Sequence, residues 1–550
     1  MKLIECVPNF SEGRDMQVIK QITDLIEEVE GVRLLDVDPG KATNRTVVTF
    51  VGEPEAVCEA AFRAVSKACE LIDMSKHHGE HPRFGATDVC PLIPISGISM
   101  EETAEYARRL AKRIGEELKF PVYCYESAAF TEERRNLANC REGEYEGLKD
   151  KLAKPEWKPD FGPALFVPKT GAIAVGARNF LIAYNINLNT TSTRRANAVA
   201  FDVREKGRKV KDAEGKESWQ AGLLKSVKGI GWYIEEYGIA QVSLNLTDIG
   251  VTSWHTAFDT TCACAEKRGL RVTGSELVGL VPLQAILDAG RYFLAKQQRS
   301  LGIPDAEIIK IAVRTMGLDE LMPFDPQQKI IEYKMAGAPA DKLAGMSLKA
   351  FANETLSESP APGGGSVSAY MGAMGVALSG MVANLSAHKP GWDARWEEFS
   401  NWAVKAKIIM NELTAMVDED TRAFNKIMEA FALPKGNDME KAARKAAIEE
   451  ATKYAIAVPL KVMHLCYNSM EVIKAMAEIG NPNSVSDAGV GALAARSGVM
   501  GAWLNVKINA SGLGDKDYVA QVLRESAALA ADAQAKEQEI LAIVEGKING

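Results

Sequence analysis

The chain has no Cys-x-x-Cys pair: its nine cysteines are scattered, with only Cys262 and Cys264 close together. An odd, dispersed set suits reduced thiols in a cytosolic protein more than a zinc ribbon or a disulfide framework. No stretch approaches the ~20 uninterrupted apolar residues of a membrane span. The weakly polar region Val367 to Leu385 is rich in Gly, Ala and Ser and reads as a tightly packed soluble helix. The opening run Met1-Lys2-Leu3-Ile4-Glu5-Cys6-Val7-Pro8 is too short for a secretory signal and is broken by an acid. Basic excess is also missing. A formal charge of -8 argues against a general nucleic-acid binder, although it leaves room for a local basic pocket. These absences predict a soluble, cytoplasmic protein with neither nucleic acid nor membrane as partner.

At 550 residues the chain exceeds one core and predicts several domains. Strand-like and helix-like segments alternate over roughly the first 330 residues, which indicates α/β or α+β layering. Lys2 to Val7, Arg33 to Val37 and Arg45 to Val51 read as strands. Met16 to Val29, with Ile19, Ile22, Leu25, Ile26 and Val29 at helical spacing, reads as a helix, as do Pro54 to Leu71 and Met100 to Leu118. A second α/β unit begins near Phe180, with strands at 180–188, 241–246 and around 271–273. The charged segment Arg204 to Gly222 between them reads as an exposed loop. Lys334 to Ala340 looks like a linker, and from Ser347 onward only helical patterns remain, predicting an all-α bundle. The boundaries that follow are 1–179, 180–333, a linker over 334–346, and 347–550.

Only six histidines occur, and three fall within five positions, in Lys76-His77-His78-Gly79-Glu80-His81-Pro82-Arg83. Histidine titrates nearest neutral pH, and this glycine- and proline-containing context predicts a loop, where scaffolds present catalytic groups. A solvent-facing polar turn is the plainer reading. His81 is the best catalytic candidate, with Glu80 and Arg83 placed to tune it. His77-x-x-x-His81 also has metal-ligand spacing, but Gly79 and Pro82 disfavour the helix that spacing needs, and no third ligand is evident; no metal is expected. The segment Gly162-Pro163-Ala164-Leu165-Phe166-Val167-Pro168-Lys169-Thr170-Gly171 reads equally as a loop or as a binding site. There Phe166 offers a face to a flat heterocycle, Lys169 a charge to a carboxylate, and the glycines close backbone approach.

The C-terminal half opens on Pro360-Ala361-Pro362-Gly363-Gly364-Gly365-Ser366, a glycine loop at a helix start. It lacks the Lys-Ser/Thr ending of a nucleotide-binding loop. Small residues at Gly372, Gly375, Ser379, Gly380 and Ala383 predict close helix contacts. Ile409, Leu413, Met416, Val417, Phe424, Ile427 and Phe431 trace one helical face, and Asp420 falls inside it. Asp418 and Glu419 project elsewhere, as solvated acids do. An acid on an apolar face is rare unless paired or functional. Burial favours its neutral form, which suits general acid/base work, and a buried ion pair is the competing reading. Asp487 reads as a first-turn acid favoured by the helix dipole.

These motifs resemble a known family. Cys6-Val7-Pro8-Asn9-Phe10-Ser11-Glu12-Gly13, Leu35-Asp36-Val37-Asp38, Asn44-Arg45-Thr46-Val47 and Gly79-Glu80-His81-Pro82-Arg83 look like the glutamate formimidoyltransferase family. So do Asp88-Val89-Cys90-Pro91, Pro159 to Pro163, Gly176-Ala177-Arg178, Asn185-Ile186-Asn187-Leu188 and Gly274 to Pro282. Ala361 to Ser366, Val417-Asp418-Glu419-Asp420 and Ser486-Asp487 are similar to the cyclodeaminase/cyclohydrolase family. The resemblance covers nearly the whole chain, in the domain order of the fused members.

The resemblance implies two ferredoxin-like α+β subdomains followed by a helical bundle. It also implies transfer of a formimidoyl group from formimidoylglutamate to tetrahydrofolate, then cyclodeamination to 5,10-methenyltetrahydrofolate. His81 becomes the transferase catalyst, Asp420 the cyclodeaminase catalyst, and Gly162 to Gly171 the folate segment. Asp38, Glu80, Arg83, Arg178, Gly364 and Asp487 become site neighbours. Tetrahydrofolate, polyglutamylated, is the expected co-substrate. A homo-oligomer with dimeric contacts in both halves is the expected assembly. Two alternatives stay open: a second domain acting mainly as a methenyltetrahydrofolate cyclohydrolase, and a non-catalytic folate-binding scaffold.

Overall fold

Helix starts in this chain follow local capping chemistry. Asp15 accepts from the N–H groups of Gln17 and Val18 to open α1 (Met16–Glu27). Glu53-Pro54 opens α2 (Pro54–Leu71), and a reciprocal Ser99/Glu102 capping box opens α3 (Met100–Leu118). The computed structural model describes residues 2–41, 43–79, 82–211, 216–336 and 343–549. Its chain divides into two units, one of Met1–Ala289 with Ala312–Gly337, the other of Gly290–Ile311 with Ala338–Gly550.

Among its described residues the first unit carries two large sheets and one two-stranded hairpin. Seven strands build the larger one: β1 (Leu3–Cys6), β2 (Asn9–Phe10), β3 (Val32–Gly40), β4 (Arg45–Gly52), β5 (Thr87–Ser96), β6 (Val122–Glu126) and β7 (Ile173–Ala177). Strand β5 is its centre, antiparallel to β1 and β2 and parallel to β7, which in turn pairs in parallel with β6. The period-two pattern sends Ile4, Cys6, Val48, Phe50, Cys90, Leu92 and Val175 onto α1 to α3 in one core. The other face is covered in patches. Leu35, Val51, Leu280 and Ile331 form one, and Phe84, Val89, Tyr123 and Tyr125 belong to another. Buried polar groups occupy the same face, among them Glu5 at 3% exposure.

The second sheet contains β8 (Ile182–Leu188), β11 (Val227–Ile234), β12 (Ile239–Leu246) and β13 (Val272–Val278) in the order β11-β12-β8-β13, all antiparallel. α4 (Thr193–Val203) connects β8 to the next strands, and α5 (Trp254–Lys267) connects β12 to β13. Tyr184, Ile186 and Leu188 are fully buried, with Tyr184 edge-on to Trp254 of α5. The insertion read as an exposed loop contains a pair of strands: β9 (Arg208–Lys211) and β10 (Glu217–Gln220) run antiparallel, and 212–215 lie outside the described residues. Arg208-Lys209-Val210-Lys211 lacks an apolar face to announce a strand; its pairing rests on backbone bonds to β10.

The second unit is helical: α6 (Gly364–Ala387), α7 (Trp396–Ala432), α8 (Asp438–Ile479), α9 (Val485–Ser511) and α10 (Lys516–Asn549). Glycine allows α6, α8 and α9 to approach closely. A Cβ at Gly372 or Gly498 would overlap the Cys466 sulfur, and one at Gly375 would sit 2.8 Å from the Gly491 carbonyl. Among the described residues α6 is the one helix long and apolar enough to cross a membrane, and much of it is buried inside this bundle. Gly290–Ile311 belongs here as well: Gly302 packs on Ala403 of α7, and its carbonyl accepts from Asn384 at 3.1 Å.

Candidate functional site

The histidine loop is clamped on both sides of its tip, while Glu80 and His81 lie outside the described residues. On the entering side, His77 is 7% exposed, and its Nε2 pairs with the Asn44 carbonyl at 2.8 Å. Burial lowers its pKa, which favours the neutral imidazole, and the bond to Asn44 holds the ring in place. Asn44 adopts the left-handed conformation at φ 47°. Its side chain accepts from the Gly13 N–H at 3.0 Å and donates to the His78 carbonyl at 2.9 Å. Gly79 lies so close to the Thr43 carbonyl that no Cβ fits.

On the leaving side, Arg141 donates to the Pro82 carbonyl at 2.5 Å and pairs with the fully buried Asp88 at 3.1 Å. Arg45 pairs with the same Asp88 and reaches Asn9 at 3.1 Å. Arg83 spans both arms. It donates to the carbonyls of Met74 (3.1 Å) and His77, pairs with Glu146, and lies 4.9 Å over the Tyr145 ring. The planar guanidinium suits this combination of forked donation and stacking. Arg83 is therefore a positioning group.

The segment from Gly162 to Gly171 runs alongside this loop. Gly162 (φ 78°) presses on the Phe120 carbonyl, and Gly171 (φ 67°) on that of Phe84. Pro168 accepts from the Tyr145 hydroxyl at 2.6 Å, and the Phe166 and Tyr145 ring centres lie 5.4 Å apart. The Lys169 carbonyl accepts from Met74 N–H at 2.9 Å. The Lys169 ammonium donates to the Glu70 carbonyl at 2.7 Å at the end of α2, so in this state the cation serves a helix terminus. Leu165 remains 65% exposed.

Asp38 accepts from the Gly279 N–H at 3.0 Å, which ties the larger sheet to the end of β13. Arg178 donates to the Asn179 carbonyl at 2.9 Å, and its charge opposes the effect of burial on Glu5, whose pKa is nevertheless pushed up to about 7. Sequence reasoning assigned no role to Asn44 and overlooked Arg141 and Tyr145. The latter two sit in irregular turns around 137–148 where no periodicity marks them.

In the helical unit, Asp420 sits mid-way along α7, facing the first turn of α6. Its Oδ2 accepts from the Ser366 N–H at 2.9 Å and the Ser366 hydroxyl at 3.2 Å. That hydroxyl also donates to the Val417 carbonyl at 2.7 Å. Among the described residues no cation pairs with Asp420, so the ion-pair reading fails. Burial raises its pKa, opposed by the Ser366 N–H and hydroxyl. Gly365 has no room for a Cβ beside this carboxylate, and one at Gly364 would lie 3.3 Å from the Asn505 amide. The glycine loop thus lets a helix start touch the acid directly.

Two expectations need correction. Asp418 and Glu419 are half-buried and engaged: Asp418 accepts from Leu343 N–H at 2.8 Å, and Glu419 accepts from the Tyr454 hydroxyl and pairs with Arg422. Phe424 and Phe431 are 40% and 50% exposed, because past Asp420 the helix leaves the main core for a small cluster around Ala423, Ala455 and Val458. Asp487 opens α9, 18 residues or roughly 27 Å at 1.5 Å per residue before Asn505, the residue of that helix that faces Gly364. No group of three or more His, Cys, Asp or Glu that could hold a metal occurs among the described residues.

Three family models match in succession: the formiminotransferase domain, N-terminal subdomain over 3–178, the formiminotransferase domain over 183–336, and formiminotransferase-cyclodeaminase over 347–528. A mouse formimidoyltransferase-cyclodeaminase is 43% identical over 547 residues, 99% of each chain. The chain belongs to the formimidoyltransferase-cyclodeaminase family. The two halves of this family member also have separate relatives. A glutamate formimidoyltransferase of Streptococcus pyogenes is 41% identical over 53% of this chain and 93% of its own length. A methenyltetrahydrofolate cyclohydrolase of Methylorubrum extorquens is 39% identical over 37% of this chain and 98% of its own.

Proposed function

We propose that this chain is a bifunctional folate enzyme whose first unit transfers the formimidoyl group of formimidoylglutamate to tetrahydrofolate. Its second unit then closes 5-formimidoyltetrahydrofolate to 5,10-methenyltetrahydrofolate with loss of ammonia. The observation that carries this reading is Asp420: a half-buried carboxylate that, among the described residues, has no cation and is held by Ser366, in a chain that matches both enzyme halves. A general acid/base is typically worth ~10²–10⁴ in rate. In the transferase step His81 takes the N5 proton as that nitrogen attacks the formimidoyl carbon, then returns a proton to the departing glutamate nitrogen. In the second step N10 closes onto the same carbon, and Asp420 carries protons to the leaving ammonia. Gly162 to Gly171 lines the folate beside the loop, with Phe166 toward its ring. No metal is assigned a role.

The finer reading extends further. The β-α-β-β-α-β order of the smaller sheet supports a ferredoxin-like subdomain over 180–333, following one over 1–179, with 334–346 as linker and 347–550 as the cyclodeaminase domain. A polyglutamyl folate, a homo-oligomer with contacts in both halves, and a cytoplasmic location complete it. A cyclohydrolase emphasis of the second unit is the alternative, favoured by the relative of that name. Forming methenyltetrahydrofolate from formimidoylglutamate and tetrahydrofolate needs both sites. Its chromophore, followed with ammonia release, tests the reading; hydrolysis of methenyltetrahydrofolate without ammonia-releasing closure would favour the alternative.

A further inference from the structure

Two motifs left without a role by these reactions, Asn185-Ile186-Asn187-Leu188 and Gly274 to Pro282, meet on one sheet face. Where Tyr184, Ile186 and Leu188 turn to the helices, the opposite face carries polar groups withdrawn from solvent: Asn187 and Gln241 at 0% exposure, Asn185 at 5%. Glu276 of β13 stands among them, only half-buried. Its Oε2 accepts from Asn185 at 3.1 Å and from Gln241 at 3.4 Å, and its Oε1 accepts from the Tyr237 hydroxyl at 3.3 Å. Gln241 is itself fixed by Asn187 at 2.8 Å and Trp232 at 3.0 Å. Every partner is neutral, and among the described residues no Lys or Arg pairs with this carboxylate.

The face looks toward the larger sheet. Three residues beyond Glu276, Gly279 donates to Asp38 at 3.0 Å, while Lys228 of β11 reaches Asn136 at 2.9 Å at another point of the same unit. Glu276 therefore lies on a wall between two sheets. A carboxylate has roughly four acceptor sites, so the three neutral donors on Glu276 leave it able to accept from a ligand as well. A rigid carboxylate matches adjacent N–H donors on a planar N–C–N unit.

We propose that Glu276 is a recognition residue of the transferase site, receiving an amidine-type N–H edge of a substrate. This rests on reading the first unit as a formimidoyltransferase. Two sources present that edge: the amidinium of the formimidoyl donor and the 2-aminopyrimidinone ring of tetrahydrofolate. Both are separated by steady-state kinetics of the full chain carrying Glu276→Gln, which keeps the shape and an acceptor oxygen. The expected result is a rise in KM of roughly 10- to 100-fold for one substrate, the scale of a lost charged hydrogen bond, with kcat and the other KM little changed. A rise for formimidoylglutamate assigns the amidinium; a rise for tetrahydrofolate assigns the pterin edge. Unchanged KM for both, or a general loss of both with a lowered melting temperature, overturns the proposal. Should the variant fail to fold, formamidinium chloride and 2-aminopyrimidin-4-one serve as probes of the unmutated chain. One of them is expected to compete with its matching substrate, and competition by neither overturns the assignment. If the unmutated chain transfers no formimidoyl group, the transferase reading itself has failed, which is distinct from transfer that persists unaltered in the variant.

Discussion

Asp420 accepts two hydrogen bonds from Ser366, one from the backbone N–H at 2.9 Å and one from the hydroxyl at 3.2 Å, across the contact between α7 and α6. Burial and these bonds act in opposite directions on the acid, and burial is the larger effect. The pair therefore sets how readily Asp420 holds a proton. Ser366→Ala removes the hydroxyl and keeps the N–H, so the Asp420 pKa should rise further. The expected outcome is a cyclodeaminase pH–rate profile whose Asp420 limb moves to higher pH, with transfer unaffected. A profile that stays in place contradicts this coupling.

Asp420→Asn should abolish cyclodeamination, by ~10²–10⁴ in kcat for a lost acid/base, while glutamate release in the transfer step continues. Separate assays of glutamate and of the methenyl chromophore decide it. Parallel loss of both would mean that Asp420 holds the protein together.

Gly365 has no space for a Cβ beside the Asp420 carboxylate. Gly365→Ala should cost about 1–3 kcal/mol of stability through overpacking and should disable ring closure far more than transfer. Thermal melts and the two assays measure each effect. Normal ring closure by a stably folded variant would show that the close approach is dispensable.

His81→Gln should remove formimidoyl transfer, by ~10²–10⁴ for a lost general acid/base, and spare ring closure of added 5-formimidoyltetrahydrofolate. Arg83→Lys, by contrast, loses the fork that joins the carbonyls of Met74 and His77 to Glu146. Its kcat should fall with both arms of the loop still present. Retained turnover in His81→Gln would remove that histidine from the mechanism.

Glu5 has its pKa pushed from the usual 4.5 to about 7 by burial, with Arg178 opposing and Glu332 reinforcing. An acid with a raised folded-state pKa stabilises the fold fully below pH 4.5, and that contribution is lost as pH rises through about 7. Glu5→Gln should therefore stabilise the protein at pH 8 by ~2–3 kcal/mol and change little at pH 4.5. Denaturant midpoints of the two proteins at those pH values test it; equal midpoints at pH 8 would mean the buried charge is compensated.

Periodicity was enough to place most elements. Ile19, Ile22 and Ile26 marked α1 because they share the buried face of one helix, and the β-branched and aromatic run Thr46 to Val51 marked β4, which is buried on both faces. The hairpin at 208–220 was not legible, since its pairing rests on backbone bonds between two exposed, charged strands. Nor was the membership of 290–311 in the helical unit, which depends on Gly302 meeting Ala403 about a hundred residues later. At the sites, the clustering of histidines singled out His81, and the place of an acid inside an apolar helical face singled out Asp420, as candidates to move protons.

What the amino-acid order determined by itself is therefore most of the elements, an α/β part followed by a helical part, and the presence of an acid on an apolar stripe. Tertiary structure alone decided what that acid touches: neutral Ser366, and not the cation of the competing ion-pair reading, because glycines at 364 and 365 bring a helix start against α7. It alone decided that Asn44, Arg141 and Tyr145 hold the histidine loop, and that Asp487 stands a helix length from Asn505. Local spacing encodes which face a side chain takes, whereas a proton-transfer group is tuned by neighbours that folding brings from distant parts of the chain.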